Sequence, residues 1–325
     1  MSVPAESPST VLVTGGSGYV GAWCAARLLQ AGYRVRATLR SLARADEVRA
    51  MIARETDPAG LSFCAANLTD DAGWGEAAEG CRFALHVASP MSPADIPGPQ
   101  AIAVARDGAL RVLRASAAAG VERVVMTSSN AASRPPAGQA TADESTWTEI
   151  QPDPSNGFEI YAQSKTLAER AAWDFVAGLG GRMQLTTLLP VMIEGPVLGR
   201  DYALSVELIA EMMRGRAPQY PTAGIQMVDV RDLADLHVTA LTAPAAAGER
   251  FIATAEYMTF AEAARILREH FGDRLPIPTL PTPTEGGASS ISGKALDRLG
   301  WRGRPIRETL IDTAESLLRE GAVQG

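Results

Sequence analysis

Lysine is nearly absent from this chain, although basic residues are not. Only Lys165 and Lys294 are lysine among the 30 basic residues of the 325-residue sequence, and acidic residues outnumber basic ones to give a net charge of −7. Binding along a nucleic-acid backbone requires a basic surface. We therefore expect no nucleic-acid partner, and the two lysines stand out from an otherwise arginine-only set.

Cysteine and histidine are also rare, which argues against a disulfide framework and against a metal site. The chain has three cysteines, Cys24, Cys64 and Cys81, without a Cys-x-x-Cys pair, and three scattered histidines. Zinc sites and disulfide-stabilised folds depend on paired or regularly spaced residues of these types. No metal is predicted.

Long apolar runs are missing as well. No stretch of about 18 apolar residues occurs, as a membrane helix requires, and the first residues contain neither the basic region nor the apolar core of an export signal. Hydrophobic residues nevertheless make up 46% of the chain, which suffices for the core of a globular enzyme. The sequence predicts a cytoplasmic protein, monomeric or homodimeric, without a membrane partner.

A glycine-rich turn near the start is the first positive signal. A β-branched run at 11–14 is followed at once by Gly15-Gly16-Ser17-Gly18-Tyr19-Val20-Gly21, and helical spacing of apolar residues then runs from Ala22 to Ala31. Between a strand and a helix, such glycines let the backbone approach a pyrophosphate at the helix N-terminus. The spacing fits Gly16-x-Gly18-x-x-Gly21 or Gly15-x-x-Gly18-x-x-Gly21, and both predict dinucleotide binding.

The end of the second predicted strand, 33–39, indicates which dinucleotide binds. NAD enzymes place Asp or Glu there to bind the ribose hydroxyl, but no acidic residue follows the glycine turn before Asp46. Arginines occur in the strand and just after it instead, notably Arg36, Arg40 and Arg44. A guanidinium can bind the additional phosphate of NADP through paired hydrogen bonds. We predict a preference for NADPH, with Arg40 as the main determinant and Arg44 as a second contact.

The rest of the pattern alternates between short apolar strands and longer helices. Further strands are predicted at 61–66, 83–88, 122–127 and 183–189, and helices at about 99–119 and 161–179. This alternation predicts an α/β fold of the Rossmann type, with a doubly wound parallel sheet. Ligands bind at the carboxyl ends of such strands. One crevice should therefore be lined by the residues at those ends: Gly15, Arg40, Asn67, Ala88, Ser129 and Pro190.

Lys165 stands four residues after Tyr161, in the helix predicted to open at Tyr161. A tyrosine that acts as an acid near neutral pH needs a close positive charge to lower its pKa from about 10. Lysine is a compact ammonium on a flexible stem, which the planar arginine fork does not imitate. Alone, the pair is more simply a solvated lysine near a tyrosine. Together with the glycine turn and with Ser128-Ser129 at the end of the fifth strand, it predicts proton transfer to a carbonyl.

These residues carry a resemblance to a known family. The chain resembles the extended short-chain dehydrogenases/reductases, in particular the dihydroflavonol reductase and cinnamoyl-CoA reductase branch. The matching segments occur in family order over almost the whole chain: VLVTGGSGYVG (11–21), VRATLR (35–40), ALHVASPM (84–91), VVMTSSNAAS (124–133), YAQSKTLAERAAW (161–173), LLPVMIEGP (188–196), DVRDLADLHV (229–238) and GKALDRLGW (293–301).

The resemblance implies a catalytic set of Ser129, Tyr161 and Lys165, with Ser128 as the alternative serine. Tyr161 would protonate a carbonyl oxygen while the NADPH hydride reaches the carbonyl carbon. Lys165 would stabilise the tyrosine and bind the nicotinamide ribose, and Ser129 would orient the carbonyl. The residues implied to bind NADP(H) are Gly15, Gly18, Tyr19, Val20, Gly21, Arg40, Arg44, Asn67, Leu68, Val87, Ala88, Ser89, Lys165 and Pro190.

The resemblance also implies two parts of the chain. Residues 1–190 would form the NADP-binding Rossmann domain, to which 226–254 returns, while 191–225 and 255–325 would form a smaller C-terminal substrate-binding lobe. A Pro- and Gly-rich segment, 134–157, is expected to cover the crevice. Substrate contacts are expected from residues that could equally belong to the core: Met91, Phe158, Val191, Tyr220 and Met227.

Some positions depart from the family pattern. Asn67 replaces an aspartate common after the third strand, and Asn130-Ala131-Ala132 follows Ser129 where plant relatives carry Ala-Gly-Thr. The second difference leaves the substrate open. Glu194 stands where relatives are usually apolar or small, so its role is open too. Lys294 is expected to be a solvated lysine at the start of a helix.

The implied activity is the reversible NADPH-dependent reduction of a small ketone or aldehyde to an alcohol. Two alternatives use the same scaffold: an NAD-dependent nucleotide-sugar epimerase or dehydratase, and a hydroxysteroid dehydrogenase. A third is a non-catalytic NADP-sensing protein. Arg40 argues against the NAD-dependent enzyme, and the intact Tyr161 and Lys165 pair argues against the sensor.

Overall fold

The computed structural model describes residues 8–90, 100–136, 141–152, 154, 156–217, 224–282 and 292–324. Two of the predicted substrate contacts, Met91 and Tyr220, lie outside the described residues.

A seven-stranded parallel sheet forms the centre of the fold. Its strands lie side by side in the order β3 (Leu61–Ala65), β2 (Arg34–Leu39), β1 (Thr10–Val13), β4 (Phe83–His86), β5 (Arg123–Thr127), β6 (Gln184–Pro190) and β9 (Arg250–Ala253). The strands are rich in Val, Leu and Ala because helices cover both faces of the sheet, although polar residues such as Arg36, Thr186 and Thr187 also lie within them. Val11 and Val13 pack into one core and Leu12 into the other, as the two-residue period of a strand requires.

Six helices form the two covering layers. One layer contains α1 (Tyr19–Gln30), α2 (Ala45–Ala53) and α7 (Val230–Thr242), and the other contains α3 (Trp74–Ala78), α4 (Gln100–Ala118) and α5 (Gly157–Ala177). This arrangement is the doubly wound Rossmann fold that the alternation of strands and helices predicted. The carboxyl ends of all seven strands meet at one edge.

A smaller sheet of three strands forms the second part of the structure. It contains β7 (Met192–Glu194), β8 (Gly224–Asp229) and β10 (Glu256–Thr259), with β8 parallel to β7 and antiparallel to β10. Three helices pack on it, α6 (Leu204–Met213), α8 (Phe260–Phe271) and α10 (Ile306–Arg319), while α9 (Lys294–Leu299) packs against β9. No helix within the described ranges is long and apolar enough to cross a membrane.

The division into two domains remains a prediction. Within the segment 226–254, α7 packs on α1 and β9 completes the large sheet, whereas β8 belongs to the small sheet. From Val230 the chain therefore packs against the large sheet, and at Arg250 it enters that sheet as β9.

Two helices begin earlier than predicted. The first starts at Tyr19 rather than near Ala22, directly after the glycine turn. The helix that carries the tyrosine and lysine starts at Gly157, because the side chain of Asn156 accepts hydrogen bonds from the N–H groups of Phe158 and Glu159 and caps it. Tyr161 is thus not the helix start but lies in its second turn.

The second lysine is not solvated, contrary to expectation. Lys294 does begin a helix, but its Nζ lies 2.7 Å from a carboxylate oxygen of Glu249 and packs over the ring of Phe251. It is a half-buried ion-pair partner on the side of β9.

Candidate active site

A cleft of about 600 Å³ opens at the carboxyl ends of the strands of the large sheet. The structure brings to its wall all six residues that the strand ends predicted, namely Gly15, Arg40, Asn67, Ala88, Ser129 and Pro190. Tyr161 and Lys165 reach the same cleft from α5. Residues far apart in the chain therefore form one site.

The glycines of the turn between β1 and α1 form one wall of the cleft. Gly15 has a φ of +71°, and a Cβ on Gly21 would lie 2.2 Å from the carbonyl oxygen of Gly15. Gly16 does not line the cleft but packs against β2, where a Cβ would lie 2.6 Å from that of Ala37. The spacing Gly15-x-x-Gly18-x-x-Gly21 is thus the one that describes the cleft.

The N-terminus of α1 fits the pyrophosphate of a dinucleotide. The N-cap residue is Gly18, which has no side chain that could cap the helix, and Gly18, Tyr19 and Val20 line the cleft there. The first N–H groups of a helix lack partners within the helix and lie at the positive end of its dipole. Together with the glycine cradle, they form a site for an anion that needs close approach to the backbone.

Thr14 and His86 fix the neighbouring wall, and the sequence analysis missed both. The hydroxyl of Thr14 accepts hydrogen bonds from the N–H groups of Val87 at 3.0 Å and Ala88 at 2.9 Å, so its own proton is donated to Nδ1 of His86 at 3.0 Å. His86 then carries its proton on Nε2. Burial, with the charge of Lys165 nearby, lowers the pKa of His86 to about 3, so the ring is neutral near neutral pH.

The arginines after β2 do not behave alike. Arg40 lines the cleft. Arg44 does not, because its guanidinium is held by Glu47 at 2.8 Å and by Asp201 at 2.5 Å. Asp201 itself lines the cleft, so the predicted second phosphate contact is instead part of an ion pair at the cleft margin.

Tyr161 and Lys165 form a close pair on α5. The Nζ of Lys165 lies 5.8 Å from the centre of the Tyr161 ring, and the lysine side chain is buried. Burial lowers the pKa of Lys165 to about 8, although the negative charge of Glu169 acts in the opposite direction. The pKa of Lys165 therefore lies close to physiological pH.

The two serines after β5 have different partners. Ser128 Oγ donates to a carboxylate oxygen of Glu169 at 2.6 Å. Ser129 Oγ accepts from the N–H of Ala131 at 3.2 Å, an acceptor role that leaves its own proton available to a ligand. Both residues line the cleft, but the bonding pattern favours Ser129 as the hydrogen-bond donor to a bound carbonyl.

The remaining predicted residues separate into two groups. Every residue predicted to bind NADP(H) lines the cleft except Arg44, and so does the predicted substrate contact Val191. Phe158 instead lies at the surface beneath the guanidinium of Arg134, and Met227 is completely buried in the core. The structure does not place these last two in the cleft, because Phe158 belongs to the first turn of α5 and Met227 to the middle of the small sheet.

Several residues that line the cleft were not predicted as site residues, although Ser17, Thr38, Pro90, Thr127 and Ile193 lie inside the segments that carry the family resemblance. Some come from the large sheet and its helices, and others from the segment that leads into α6, so only the path of the chain brings them together. They are Ser17, Thr38, Ala66, Thr69, Trp74, Pro90, Val104, Thr127, Ile193, Asp201, Tyr202, Ala203 and Leu204.

The chain is similar to known proteins over most of its length. The family model described as the NAD dependent epimerase/dehydratase family matches residues 11–253. The chain is 32% identical to a dihydroflavonol 4-reductase of Zea mays, covering 97% of this chain and 89% of the relative. It is also 32% identical to a cinnamoyl-CoA reductase 1 of Oryza sativa subsp. japonica, covering 96% and 91%.

A solved structure shows the same fold over nearly the full length. The yeast methylglyoxal/isovaleraldehyde reductase Gre2, complexed with NADPH, superposes with a TM-score of 0.82 at 25% identity, covering 96% of this chain and 99% of the yeast chain.

Proposed function

The chain belongs to the extended short-chain dehydrogenases/reductases, in the dihydroflavonol reductase and cinnamoyl-CoA reductase branch, and we propose that it reduces a ketone or aldehyde carbonyl with NADPH. It is an NAD(P)-dependent reductase by family. Its preferred cofactor is NADPH, and its substrate is a carbonyl compound on which Ser129, Tyr161 and Lys165 act. The observation that carries this proposal is the convergence of Ser129, Tyr161 and Lys165 beside the glycine turn in one cleft.

The residues on the cleft wall suit a dinucleotide. The glycine turn and the N-terminus of α1 would hold the pyrophosphate, and Arg40 would bind the 2′-phosphate of NADPH. Lys165 would bind the nicotinamide ribose. When bound, the dinucleotide supplies the hydride.

Tyr161 acts as the general acid in this mechanism. Its hydroxyl donates a proton to the carbonyl oxygen as the carbonyl carbon gains hydride, so the product is an alcohol and the tyrosine is left as phenolate. The Lys165 ammonium stabilises that phenolate, and Ser129 donates a hydrogen bond to the same oxygen while charge develops on it. Such positioned acid catalysis contributes typically about 10²–10⁴-fold to the rate.

The wall of the cleft favours a largely apolar carbonyl compound. Val104, Val191, Ile193 and Leu204 contribute aliphatic surface to it, and binding sites for small molecules usually combine such surface with a few placed polar groups. We propose aryl or branched aliphatic ketones and aldehydes as the substrate class.

A substrate panel tests the proposal. Purified protein is incubated with NADPH or NADH and with aryl ketones, aldehydes, keto esters and flavanonols, and the loss of reduced cofactor is followed by absorbance. We expect turnover of at least one class, with kcat/KM higher for NADPH than for NADH. If the purified protein carries tightly bound NAD and reduces no carbonyl, the result would instead favour the hypothesis of a nucleotide-sugar epimerase.

A further inference from the structure

Glu169 is a fully buried carboxylate next to the candidate active site. It follows Lys165 by one turn of α5, and its exposed fraction is 0%. A buried carboxylate is costly unless donors surround it. Here four side chains donate to it: Ser128 Oγ at 2.6 Å, Thr187 Oγ1 at 2.7 Å, Arg250 Nε at 2.7 Å and Trp173 Nε1 at 3.3 Å.

The contact with Ser128 connects this carboxylate to the catalytic serine. Ser128 gives its only hydroxyl proton to Glu169, which holds the end of β5 against α5. Ser129 is the next residue, so the position of its hydroxyl in the cleft depends on the same peptide unit. Glu169 thereby influences Ser129 without touching the reacting atoms.

The contact with Arg250 connects the carboxylate to the segment 141–148, which lies between Ser129 and α5 in the chain. Nη1 of Arg250 donates to the carbonyl oxygens of Glu144 at 2.6 Å and Thr146 at 2.8 Å, and the guanidinium lies 3.7 Å from the ring centre of Trp147. One carboxylate thus joins the end of β5, β9 and this segment.

The charge of Glu169 acts on the catalytic lysine. The titratable and charged groups that face Lys165 are Tyr161 and Glu169 from α5 and His86 from β4, with Arg250 behind Glu169 on β9. His86 is neutral near neutral pH because burial lowers its pKa to about 3. Glu169 therefore supplies the negative charge that opposes the effect of burial on Lys165.

We propose that Glu169 is a positioning residue of this site: its carboxylate holds Ser128 and Arg250 in place, and it places a negative charge one helical turn from Lys165. Its kinetic consequence rests on the proposed function, whereas its effect on Lys165 does not.

The scarcity of lysine makes this effect directly measurable. The chain has two lysines, Lys165 and Lys294, so protein labelled with ¹³C at lysine Cε gives two side-chain signals, and Lys294→Arg assigns them. The probe is the pH titration of the Lys165 signal in the protein without substrate. In the wild type we expect a midpoint near the value of about 8 that burial imposes on the pKa of Lys165.

Glu169→Gln is the decisive variant, and Asp174→Asn is its matched control. Both change one carboxylate of α5 to an amide, but Asp174 is exposed at the surface. We expect the Lys165 midpoint to move to lower pH in Glu169→Gln and to stay at the wild-type value in Asp174→Asn. In Glu169→Asp, which keeps the charge, the midpoint should remain near the wild-type value.

The kinetic arm separates positioning from a purely structural role. With a carbonyl that the wild type reduces, Glu169→Gln should lower kcat about tenfold or more while the Kd of NADPH changes little, and the alkaline limb of the kcat profile should move to lower pH. A variant that is merely less stable, with an unchanged Lys165 midpoint and unchanged pH profile, overturns the proposal.

Two further outcomes are distinguishable. If the wild type reduces no carbonyl, the proposed function fails, yet the lysine titration still decides the role of Glu169. If Glu169→Gln does not fold, Ser128→Ala decides the positioning role instead, because it removes the bond between the end of β5 and the carboxylate and leaves the ion pair with Arg250 in place. The kcat should then fall while the Kd of NADPH is unchanged, and an unchanged kcat overturns the proposal.

Discussion

Ser128 donates its hydroxyl proton to Glu169 over 2.6 Å, although the two residues are 41 positions apart in the chain. The adjacent Ser129 instead accepts from the N–H of Ala131. The two neighbouring serines therefore differ: the hydroxyl proton of Ser128 is donated to the buried Glu169, whereas that of Ser129 can be donated to a ligand. The two serines should therefore respond differently to substitution.

Ser129→Ala should impair catalysis more than Ser128→Ala. Loss of the Ser129 hydroxyl removes a donor to the carbonyl oxygen, and removal of one such donor typically costs about 10²–10³-fold in kcat. Ser128→Ala removes a bond to Glu169 and should lower kcat less, with a small loss of stability. Steady-state kinetics on both variants distinguish them. Equal losses, or a larger loss for Ser128→Ala, would assign the catalytic role to Ser128.

Tyr161→Phe should nearly abolish turnover without weakening cofactor binding. The substitution removes the proton donor and leaves the ring in place, so a loss of about 10²–10⁴-fold in kcat is expected. NADPH binding, measured by fluorescence titration, should match that of the wild type. Substantial activity in this variant would refute the role of Tyr161.

The kcat for carbonyl reduction should fall as the pH rises through about 8. Lys165 acts in its protonated form, and burial lowers the pKa of its ammonium to about 8. Below that pH the lysine is charged and the phenolate is stabilised, whereas above it the charge is lost. A pH profile of kcat at saturating NADPH measures this limb. A profile that stays flat well above this pH would show that the charge of Lys165 is not required.

Arg40 should set the cofactor preference. Arg40→Ala removes the guanidinium from the cleft and should raise the KM for NADPH, while the KM for NADH changes little because NADH lacks the phosphate.

Asp201→Asn should change the KM for NADPH in the opposite direction. It weakens the ion pair with Arg44, removes a negative charge from the cleft and should lower the KM for NADPH. Parallel changes with both cofactors would argue against phosphate recognition.

Glu194→Met should stabilise the fold. Glu194 is completely buried, and neither carboxyl oxygen has a hydrogen-bond partner within the part of the chain that the structure describes. Burial, together with the charge of Asp229, raises the pKa of this carboxyl well above its ordinary value. An unpaired buried polar group costs about 1–3 kcal/mol, so its replacement by an apolar side chain of similar length should raise the free energy of unfolding.

The pH dependence of this stabilisation has a definite sign. With a raised pKa in the folded state, Glu194 destabilises the fold increasingly as the pH rises above its unfolded pKa of about 4.3. The advantage of Glu194→Met should therefore be larger at about pH 8 than at about pH 4. Urea unfolding at both pH values measures it, and Glu194→Gln serves as the control that keeps a polar group. A destabilised Met variant at both pH values would contradict the prediction.

The fold and the predicted catalytic residues follow from local features of the sequence. Short apolar strands separated by helices predict the doubly wound sheet, and the glycine spacing before α1 predicts the cradle at Gly15 and Gly21. Tyr161 and Lys165 lie one turn apart on one helix, so their proximity needs no tertiary information. Backbone geometry and helical periodicity determine these features over a few residues, which is why they can be read directly.

Other features depend on contacts between distant segments, which local patterns do not encode. The guanidinium of Arg44 could bind a phosphate, but ion pairs with Asp201 and Glu47 hold it away from the cleft. Met227 was predicted to contact the substrate, but its position in β8 buries it completely in the core.

Glu169 shows the same dependence most clearly. Its position on α5 is evident from the sequence, but its donors come from β5, β6 and β9. The sequence by itself determined the sheet, the nucleotide turn and the tyrosine–lysine pair. Only the tertiary structure decided which serine keeps an available proton and which charge accompanies the lysine, because burial and ion pairing arise when separate elements pack together.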